Sequence, residues 1–497
     1  MNNARIVHNQ TDRDGSMAYL TFICVVSALG GLLFGYDTVV ISGTVTAVTK
    51  QFMLTEWLKG LFVAAALAGC MIGAGAAGSV SDAFGRKKVL ILSSILFVAT
   101  SAGCAIAWNA WSLLMFRLIG GMGIGVASMV CPLYISEVSP ANVRGRMVTL
   151  FQFAITIGIC ISLFSNAALQ HLSQVWASTD CSAICRWMVV NQTWRAMFFA
   201  AIVPSLLFAI LALFIPESPR WLAKSGRSAE GEAVLRRVGG AVVARAAMVE
   251  IERTIQEETG TLSELFKPGL RKALFVALFL SMVSEFSGVT VVLYYGPDIL
   301  NSAGVRLGDA LGGFVVIGIV NMVFTLIAIW LMDRAGRRPL LFWGNLGCFI
   351  VLATIGGLFA SGRSASLVLV GLICLFMACF AFSIGPIKWV VMSEIFPTRI
   401  RGRAVAIATV AVWLADTIYN YLFPFAQRTL GPATCFFIFA SILIPQAFFV
   451  WKIMPETKGR TLEEIEKSWM HADQSVSVLA SEAVSPPVRD SINDGSN

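Results

Sequence analysis

Long apolar segments recur along this chain of 497 residues and determine its fold class. A helix needs about 20 apolar residues to cross a bilayer, and such stretches occur about twelve times between Ala18 and Trp451. Only 13% of the residues are charged and 57% are hydrophobic, whereas a soluble domain is about 25% charged. The sequence therefore predicts an all-α membrane protein with about twelve transmembrane helices.

The net charge of +8 is explained by topology and needs no nucleic acid partner. Lys and Arg cluster in alternate loops, so the positive-inside rule predicts cytoplasmic termini in a cell membrane. The first apolar run lacks a convincing cleavage site, which favours a first helix over a removed signal peptide. We expect a cytoplasmic N-terminus (1–17), a six-helix half (18–215), a cytoplasmic helical linker (216–272), a second six-helix half (273–454) and a cytoplasmic tail (455–497).

Each half of the chain carries one copy of a charged sequence cassette. Asp82 to Lys87 recurs as Asp333 to Arg338, and Glu137 recurs as Glu394, at offsets of 251 and 257 residues. Parallel repeats of this kind build transporters from two equivalent halves. We expect ion pairs that close the cytoplasmic mouth in one state and separate in another; the alternative is loop charge that only sets topology. The predicted gate residues are Asp82, Arg86, Glu137 and Arg144, and then Asp333, Arg337, Glu394 and Arg401.

Asp37 lies inside the first apolar segment, where a carboxylate costs about 2.5–3.5 kcal/mol. Arg117 lies at a matching depth in the fourth segment, because both residues are about 9 Å below the external face at 1.5 Å per residue. Burial favours the neutral acid and a nearby cation favours the charged acid. A partner that approaches and withdraws would therefore make Asp37 bind and release a proton. The alternative is a structural ion pair without proton turnover.

Several motifs together resemble the sugar porter family of the major facilitator superfamily, most closely its bacterial sugar–proton symporters. The resemblance covers Gly30 to Ile465, and its motifs are Gly30 to Asp37, Arg117 with the glycines after it, both cassettes, Pro216 to Leu222 and Pro455 to Arg460. It implies proton-coupled import of a monosaccharide or related polyol by alternating access, without a cofactor or metal. Facilitative relatives typically carry Asn at position 37. A facilitative uniporter, a transporter of a charged sugar derivative and a sugar sensor remain as alternatives.

The resemblance also implies a substrate site, in which this chain keeps some positions and changes others. The family's polar groups are kept at Gln152, Asn321, Gly385 and Trp389, and its aromatic groups at Phe34, Tyr294 and Tyr295. Relatives show two Gln and an Asn where this chain has Ser284, Glu285 and Thr290. A further Gln is replaced by Val412, an Asn by Asp416, and an uncharged residue by Lys388.

Three ionisable residues thus enter the second half near mid-membrane. Counted at 1.5 Å per residue, Glu285 and Asp416 lie about 20 Å deep and Lys388 about 14 Å deep. Isolated charges at such depth are costly. Lys388 is therefore expected to pair with Glu285 or Asp416. The alternatives are an altered substrate, either an acidic sugar bound by Lys388 or an amino sugar bound by Glu285, and a second proton site at Glu285 or Asp416.

Other functional classes find little support in the sequence. The three His residues lie outside the apolar segments, and no nucleophile–base pair or metal constellation is visible, so an enzyme is not expected. The expected partners are a sugar, protons and the lipid bilayer, and the chain is expected to be a monomer. Cys181 and Cys185 share an external loop, but their spacing leaves a disulfide open.

Overall fold

Helices make up nearly all of the chain that the structure, a computed structural model, describes. The described residues are 15–140, 142–179, 182–257, 262–267, 270–302, 307–362, 366–396, 398–454 and 456. The predicted tail beyond 456 and a Cys181–Cys185 disulfide lie outside them. The helices of the first half are α1 (Met17–Gln51), α2 (Glu56–Phe84), α3 (Arg86–Ile106), α4 (Ala110–Val138), α5 (Arg144–Trp176), α6 (Thr193–Ala200) and α7 (Ile202–Ala212).

Two α-helices, and after them a 3₁₀-helix at Leu262–Phe266, precede the second half. The two α-helices are α8 (Pro219–Lys224) and α9 (Ser228–Glu257), which is kinked at Gly240. The backbone N–H of Ser16 donates to the Arg237 carbonyl at 3.0 Å, so α9 packs beneath the start of α1. The helices of the second half are α10 (Leu270–Glu285), α11 (Val289–Ser302), α12 (Leu307–Ala335), α13 (Arg337–Ala360), α14 (Ser366–Phe382), α15 (Ile384–Glu394) and α16 (Thr398–Lys452).

Eleven stretches of the described chain are long and apolar enough to cross a membrane. The last one, Gly402–Lys452, has 51 residues, about 77 Å of helix, more than twice a bilayer core. Gly431 interrupts it with a φ of 79°, and Pro432 follows. This break divides α16 into two crossings, so the predicted fold of twelve transmembrane helices is confirmed.

Local sequence signals set where the helices begin and turn. Asn109 starts α4 with a capping box, in which its side chain and that of Ser112 each accept the other's backbone N–H. Gly85 separates α2 from α3 with a φ of 96°, and Gly336 separates α12 from α13 with a φ of 91°. A positive φ is the conformation that only glycine adopts readily. The doubled cassettes therefore form equivalent sharp turns.

Small residues allow close packing inside the first half. A Cβ atom at Gly69 would collide with the Leu118 carbonyl, and one at Gly121 would collide with that of Ala66, so α2 and α4 meet backbone to backbone. Gly35 and Gly158 bring α1 and α5 together in the same way. Lipid supplies no hydrophobic force between helices, and close packing of small residues replaces it. This packing builds the part of the bundle that contains Asp37 of α1 and Arg117 of α4.

Candidate functional site

Asp37 and Arg117 form a buried ion pair between α1 and α4. Arg117 Nη1 donates to Asp37 Oδ2 at 3.2 Å and to the Asp37 carbonyl at 3.3 Å, and the side chains are 7% and 2% exposed. Arg117 Nε has no hydrogen-bond partner in the described part of the chain. The guanidinium also lies 5.6 Å from the Phe198 ring centre. Only one edge of the guanidinium is thus engaged, which leaves the pair free to separate.

Three of the substituted substrate positions, Glu285, Thr290 and Lys388, lie close to breaks in two membrane crossings of the second half. One crossing breaks between α10 and α11, at Gly288 with a φ of 85°, and another breaks between α14 and α15 at Ser383. Glu285 is the last residue of α10, and Thr290 is the second residue of α11. Discontinuous helices at mid-membrane are where transporters of this architecture build binding sites.

Lys388 and Glu285 form a buried ion pair across these two breaks. The Lys388 ammonium donates to Glu285 Oε1, and the side chains are 7% and 4% exposed. The ammonium also lies 5.4 Å from the ring centre of Trp389. Of the two acids expected as partners for Lys388, the structure places Glu285 against it.

Asp416 has a different environment. Its Oδ1 atom accepts hydrogen bonds from the Thr290 hydroxyl at 2.6 Å and from Asn420 Nδ2 at 2.8 Å. Asn420 Nδ2 also reaches Thr290 Oγ1 at 3.0 Å. Asp416 is 2% exposed, and no cation of the described chain lies within ion-pair distance. This polar cluster joins α11 to α16.

Two amide side chains among the predicted substrate residues have no protein partner. Gln152 on α5 is half-buried and Asn321 on α12 is 7% exposed, yet neither side chain makes a hydrogen bond to another described residue. By contrast, Asn166 on α5 donates to the Val40 carbonyl at 3.2 Å. Free amides in a buried helix interface are the groups that a ligand with several hydroxyls can satisfy.

Aromatic rings border the same region. Phe34 of α1 lies 5.6 Å from Trp413 of α16, centre to centre, and Trp413 Nε1 has no hydrogen-bond partner in the described residues. Trp389 and Gly385 are half-buried on α15. Ser284 is fully buried and its hydroxyl donates to the Ser281 carbonyl at 2.9 Å, so it is less available to a ligand.

A small cavity connects the first-half ion pair to the second half. Its wall includes Arg117 from α4, Cys70 from α2 and Tyr294 from α11. Arg117 of the first half and Tyr294 of the second half therefore lie on two sides of one narrow gap.

The first cassette forms an ion-pair network within its own half. Arg86 donates to Glu137 through Nε at 2.9 Å and Nη2 at 3.0 Å, and to Asp82 through Nη1 at 2.9 Å. The Glu217 carboxylate accepts the backbone N–H groups of Arg86 at 2.8 Å and Lys87 at 3.1 Å. An acid at a helix N-terminus is favoured by the free N–H groups and the helix dipole.

The second cassette repeats this arrangement. Arg337 Nη2 donates to Glu394 Oε1 at 3.0 Å. Glu456 accepts the backbone N–H groups of Arg337 at 3.1 Å and Arg338 at 3.0 Å. The capping role of Glu217 and Glu456 was not predicted, although both acids follow a proline and so repeat between the halves. The end of the bundle that holds both cassettes is called the cassette face below.

Contacts between the halves are concentrated at the end of the bundle opposite the cassette face, which is called the opposite face below. Lys59 of α2 pairs with Asp298 of α11 at 2.5 Å, and the Thr46 hydroxyl of α1 donates to the same carboxylate at 3.2 Å. Trp57 stacks on Phe425 with centres 4.5 Å apart. None of these residues was predicted, because Lys59 and Asp298 stand at span ends, where charge is ordinary.

The halves separate towards the cassette face. Gly60 and Gly78 lie 18 residues apart on α2, which is five turns and hence the same helix face. A Cβ at Gly60 would collide with the Tyr421 carbonyl of α16, whereas one at Gly78 would meet nothing within 4 Å. The structure is therefore closed at the opposite face and open at the cassette face.

This opening explains the position of Arg144. Arg144 is exposed at the start of α5 and pairs with no acid in the part of the chain that the structure describes. The expected pair with Arg144 is thus missing in this state, because the mouth that Arg144 borders is open. The side chains of Asp333 and Arg401 lie outside the described part.

Comparisons with known proteins cover nearly the whole chain. A family model described as "Sugar (and other) transporter" matches residues 23–469. The arabinose-proton symporter of Bacillus subtilis is 37% identical over 92% of this chain and 97% of its own length. The D-xylose-proton symporter of Escherichia coli is 35% identical over 91% and 96%.

This chain is also similar to solved structures along their full length. The xylose transporter XylE from E. coli, in a partially occluded inward open conformation, superposes with a TM-score of 0.78 at 34% identity, covering 90% of this chain and 100% of that chain. Identity at this level over such a length indicates shared descent as well as a shared fold.

Proposed function

Because this chain belongs to the sugar transporter family, we propose that it is a proton-coupled symporter that imports a monosaccharide or related polyol by alternating access. The observation that carries the proposal is the buried Asp37–Arg117 ion pair, 3.2 Å long inside an apolar helix pair. The similar proteins named as proton symporters of arabinose and xylose support the same activity. A transport function requires no cofactor, and the family is one of transporters, not enzymes.

The proposed orientation places the cassette face and both termini in the cytoplasm of a cell membrane. The two six-helix halves, 18–215 and 273–454, then rock about the site between them, and the helices of 216–272 connect them. The gap at Gly78 and the contact at Gly60 support a state that opens to the cytoplasm. The Lys59–Asp298 pair stabilises that state from outside. We propose that the chain works as a monomer.

The proposed proton step follows from the geometry of Asp37. When Arg117 withdraws, the buried carboxyl is more stable with a proton, and when Arg117 returns it is more stable as the anion. A membrane potential of 100 mV supplies about 2.3 kcal/mol for each proton carried, which corresponds to about fifty-fold accumulation. The cytoplasmic networks of Arg86 and Arg337 hold the helices of each half together as the two halves move.

The polar groups of the site favour a neutral substrate over an acidic one. The Lys388 ammonium is engaged by Glu285 and faces Trp389, so it is not free to receive a carboxylate. The unpartnered amides of Gln152 and Asn321 suit sugar hydroxyls, and the rings of Phe34, Trp389 and Trp413 suit the apolar face of a sugar ring.

The test is uptake by the full chain in proteoliposomes, with and without an inward proton gradient. The panel contains D-xylose, L-arabinose, D-glucose and myo-inositol as neutral probes, D-glucuronate as an acidic probe and D-glucosamine as an amino sugar. We expect gradient-driven accumulation of at least one neutral probe. Equilibration without accumulation for every transported probe would establish a facilitative uniporter instead. Accumulation of D-glucuronate would refute the assignment of Lys388 to Glu285.

A further inference from the structure

Asp416 stands out among the acids buried in the helix bundle because it lacks a cation. Asp37 and Glu285 are each paired, with Arg117 and Lys388 respectively. Asp416 receives only neutral donors, the Thr290 hydroxyl and the Asn420 amide, and both reach the same oxygen, Oδ1. Its Oδ2 atom accepts no hydrogen bond from any described residue. A carboxyl group with one satisfied oxygen and one open oxygen is arranged to hold a proton.

The charges around Asp416 favour the protonated form. The titratable groups near it are Glu285 from α10, Lys388 from α15, Tyr294 from α11, Cys70 from α2 and Tyr419 from α16 itself. Lys388 is the single cation among them, and Glu285 already neutralises it. Ionised Asp416 would leave one uncompensated negative charge near mid-membrane, which is costly.

Asp416 also lies where its surroundings must change during transport. Trp413, three residues before Asp416 on α16, lies 5.6 Å from Phe34 of α1, ring centre to ring centre, and residues three apart share a helix face. Asp416 therefore faces the boundary between the halves, which alternating access opens to each side in turn. A carboxyl group that is neutral when dry can release its proton when water reaches it.

We propose that Asp416 is a second proton-binding residue, so that each sugar is imported with two protons, one on Asp37 and one on Asp416. This inference rests on the proposed symport function. Thr290, which holds Asp416, belongs to α11, and α11 also carries Asp298 of the opposite-face closure. The proton on Asp416 thus acts on the helix that closes the site to the outside.

The number of coupled protons can be measured as a reversal voltage. Wild-type protein is reconstituted at equal pH on both sides with a tenfold gradient of a transported probe, D-xylose or L-arabinose, and the voltage that stops net flux is found. A tenfold gradient is about 1.4 kcal/mol, and 100 mV is worth about 2.3 kcal/mol per charge. About 60 mV therefore balances one proton per sugar, and about 30 mV balances two.

We expect reversal at about 30 mV for the wild type and at about 60 mV for Asp416→Asn and for Asp37→Asn. The double variant should show no voltage dependence. Glu230→Gln, an exposed acid bonded to Arg227, is the control and should match the wild type. Asn keeps the acceptor oxygen that Thr290 and Asn420 use, so the variant removes the proton site alone.

Two results would overturn the inference while leaving symport intact. One is reversal of the wild type at about 60 mV, which decides the question even if a variant fails to fold. The other is reversal of Asp416→Asn at the wild-type voltage. A wild type without any voltage dependence would instead refute the proposed symport itself.

Discussion

The Lys388–Glu285 pair yields the sharpest test of how this site is built. Removing one partner of a buried ion pair leaves the other charge uncompensated and costs about 3–5 kcal/mol, whereas replacing both with neutral side chains is often close to neutral. The pair is 7% and 4% exposed, so this buried regime applies. Lys388→Met and Glu285→Gln should each destabilise the protein, and the combined variant should be more stable than either.

The neighbouring Asp416 makes the two single changes unequal. Glu285→Gln leaves Lys388 with one buried acid nearby, since Asp416 is bonded to Thr290, five residues after Glu285, and can give up a proton to compensate the ammonium. Its cost should lie near the lower limit, about 3 kcal/mol. Lys388→Met leaves the Glu285 carboxylate without a cation, and Asp416 cannot compensate it, so the cost should approach about 5 kcal/mol. The double variant should lose about 1 kcal/mol.

The assay compares unfolding of the four proteins in one detergent, together with initial uptake rates in proteoliposomes. The exposed pair Arg227 and Glu230 provides the matched control, with Arg227→Met and Glu230→Gln expected to leave unfolding unchanged. A double variant as unstable as Lys388→Met, or one that transports no better than either single variant, would refute the pairing. Equal costs for the two single changes would refute the role given to Asp416.

Three further predictions concern the moving parts. Glu217→Gln and Glu456→Gln should each lower the free energy of unfolding by about 1 kcal/mol, measured by urea unfolding in detergent, since each removes a charged helix cap; an effect in one half only would contradict the repeat. Lys59→Met should shift the balance towards the state open at the opposite face by about fivefold, or about 1 kcal/mol, measured as labelling of a cysteine placed there; unchanged labelling would exclude a closing role. Gly60→Ala should shift the balance the same way, while the control Gly78→Ala on the same helix face should not; equal effects would contradict the opening seen here.

The fold could be predicted almost completely from the sequence. Bilayer thickness sets the length of an apolar helix, so composition alone identifies the crossings, and the repeated cassettes identify two halves. The exceptions are local. The breaks at Gly288 and Ser383 were not predicted, because a single interruption does not alter the hydropathy of a long apolar run.

The candidate site could be predicted only in part. The depth of a residue follows from counting along a helix, and counting placed Asp37 at the depth of Arg117 and the three substituted charges near mid-membrane. Counting does not give the direction in which a side chain points, since each residue turns the helix by about 100°. The depth of Lys388 in the membrane could therefore be predicted, but whether Lys388 pairs with Glu285 or with Asp416 could not.

The sequence by itself determined that this chain crosses a membrane in two repeated halves and that unusual charges lie deep in the second. Only the tertiary structure decided which charges neutralise one another, because pairing depends on the rotation and the breaks of helices far apart in the chain. It placed Lys388 against Glu285, closed the opposite face with Lys59 and Asp298, and left Asp416 among neutral donors. Burial makes that last arrangement important, since an ionised carboxyl group without a cation is costly at that depth.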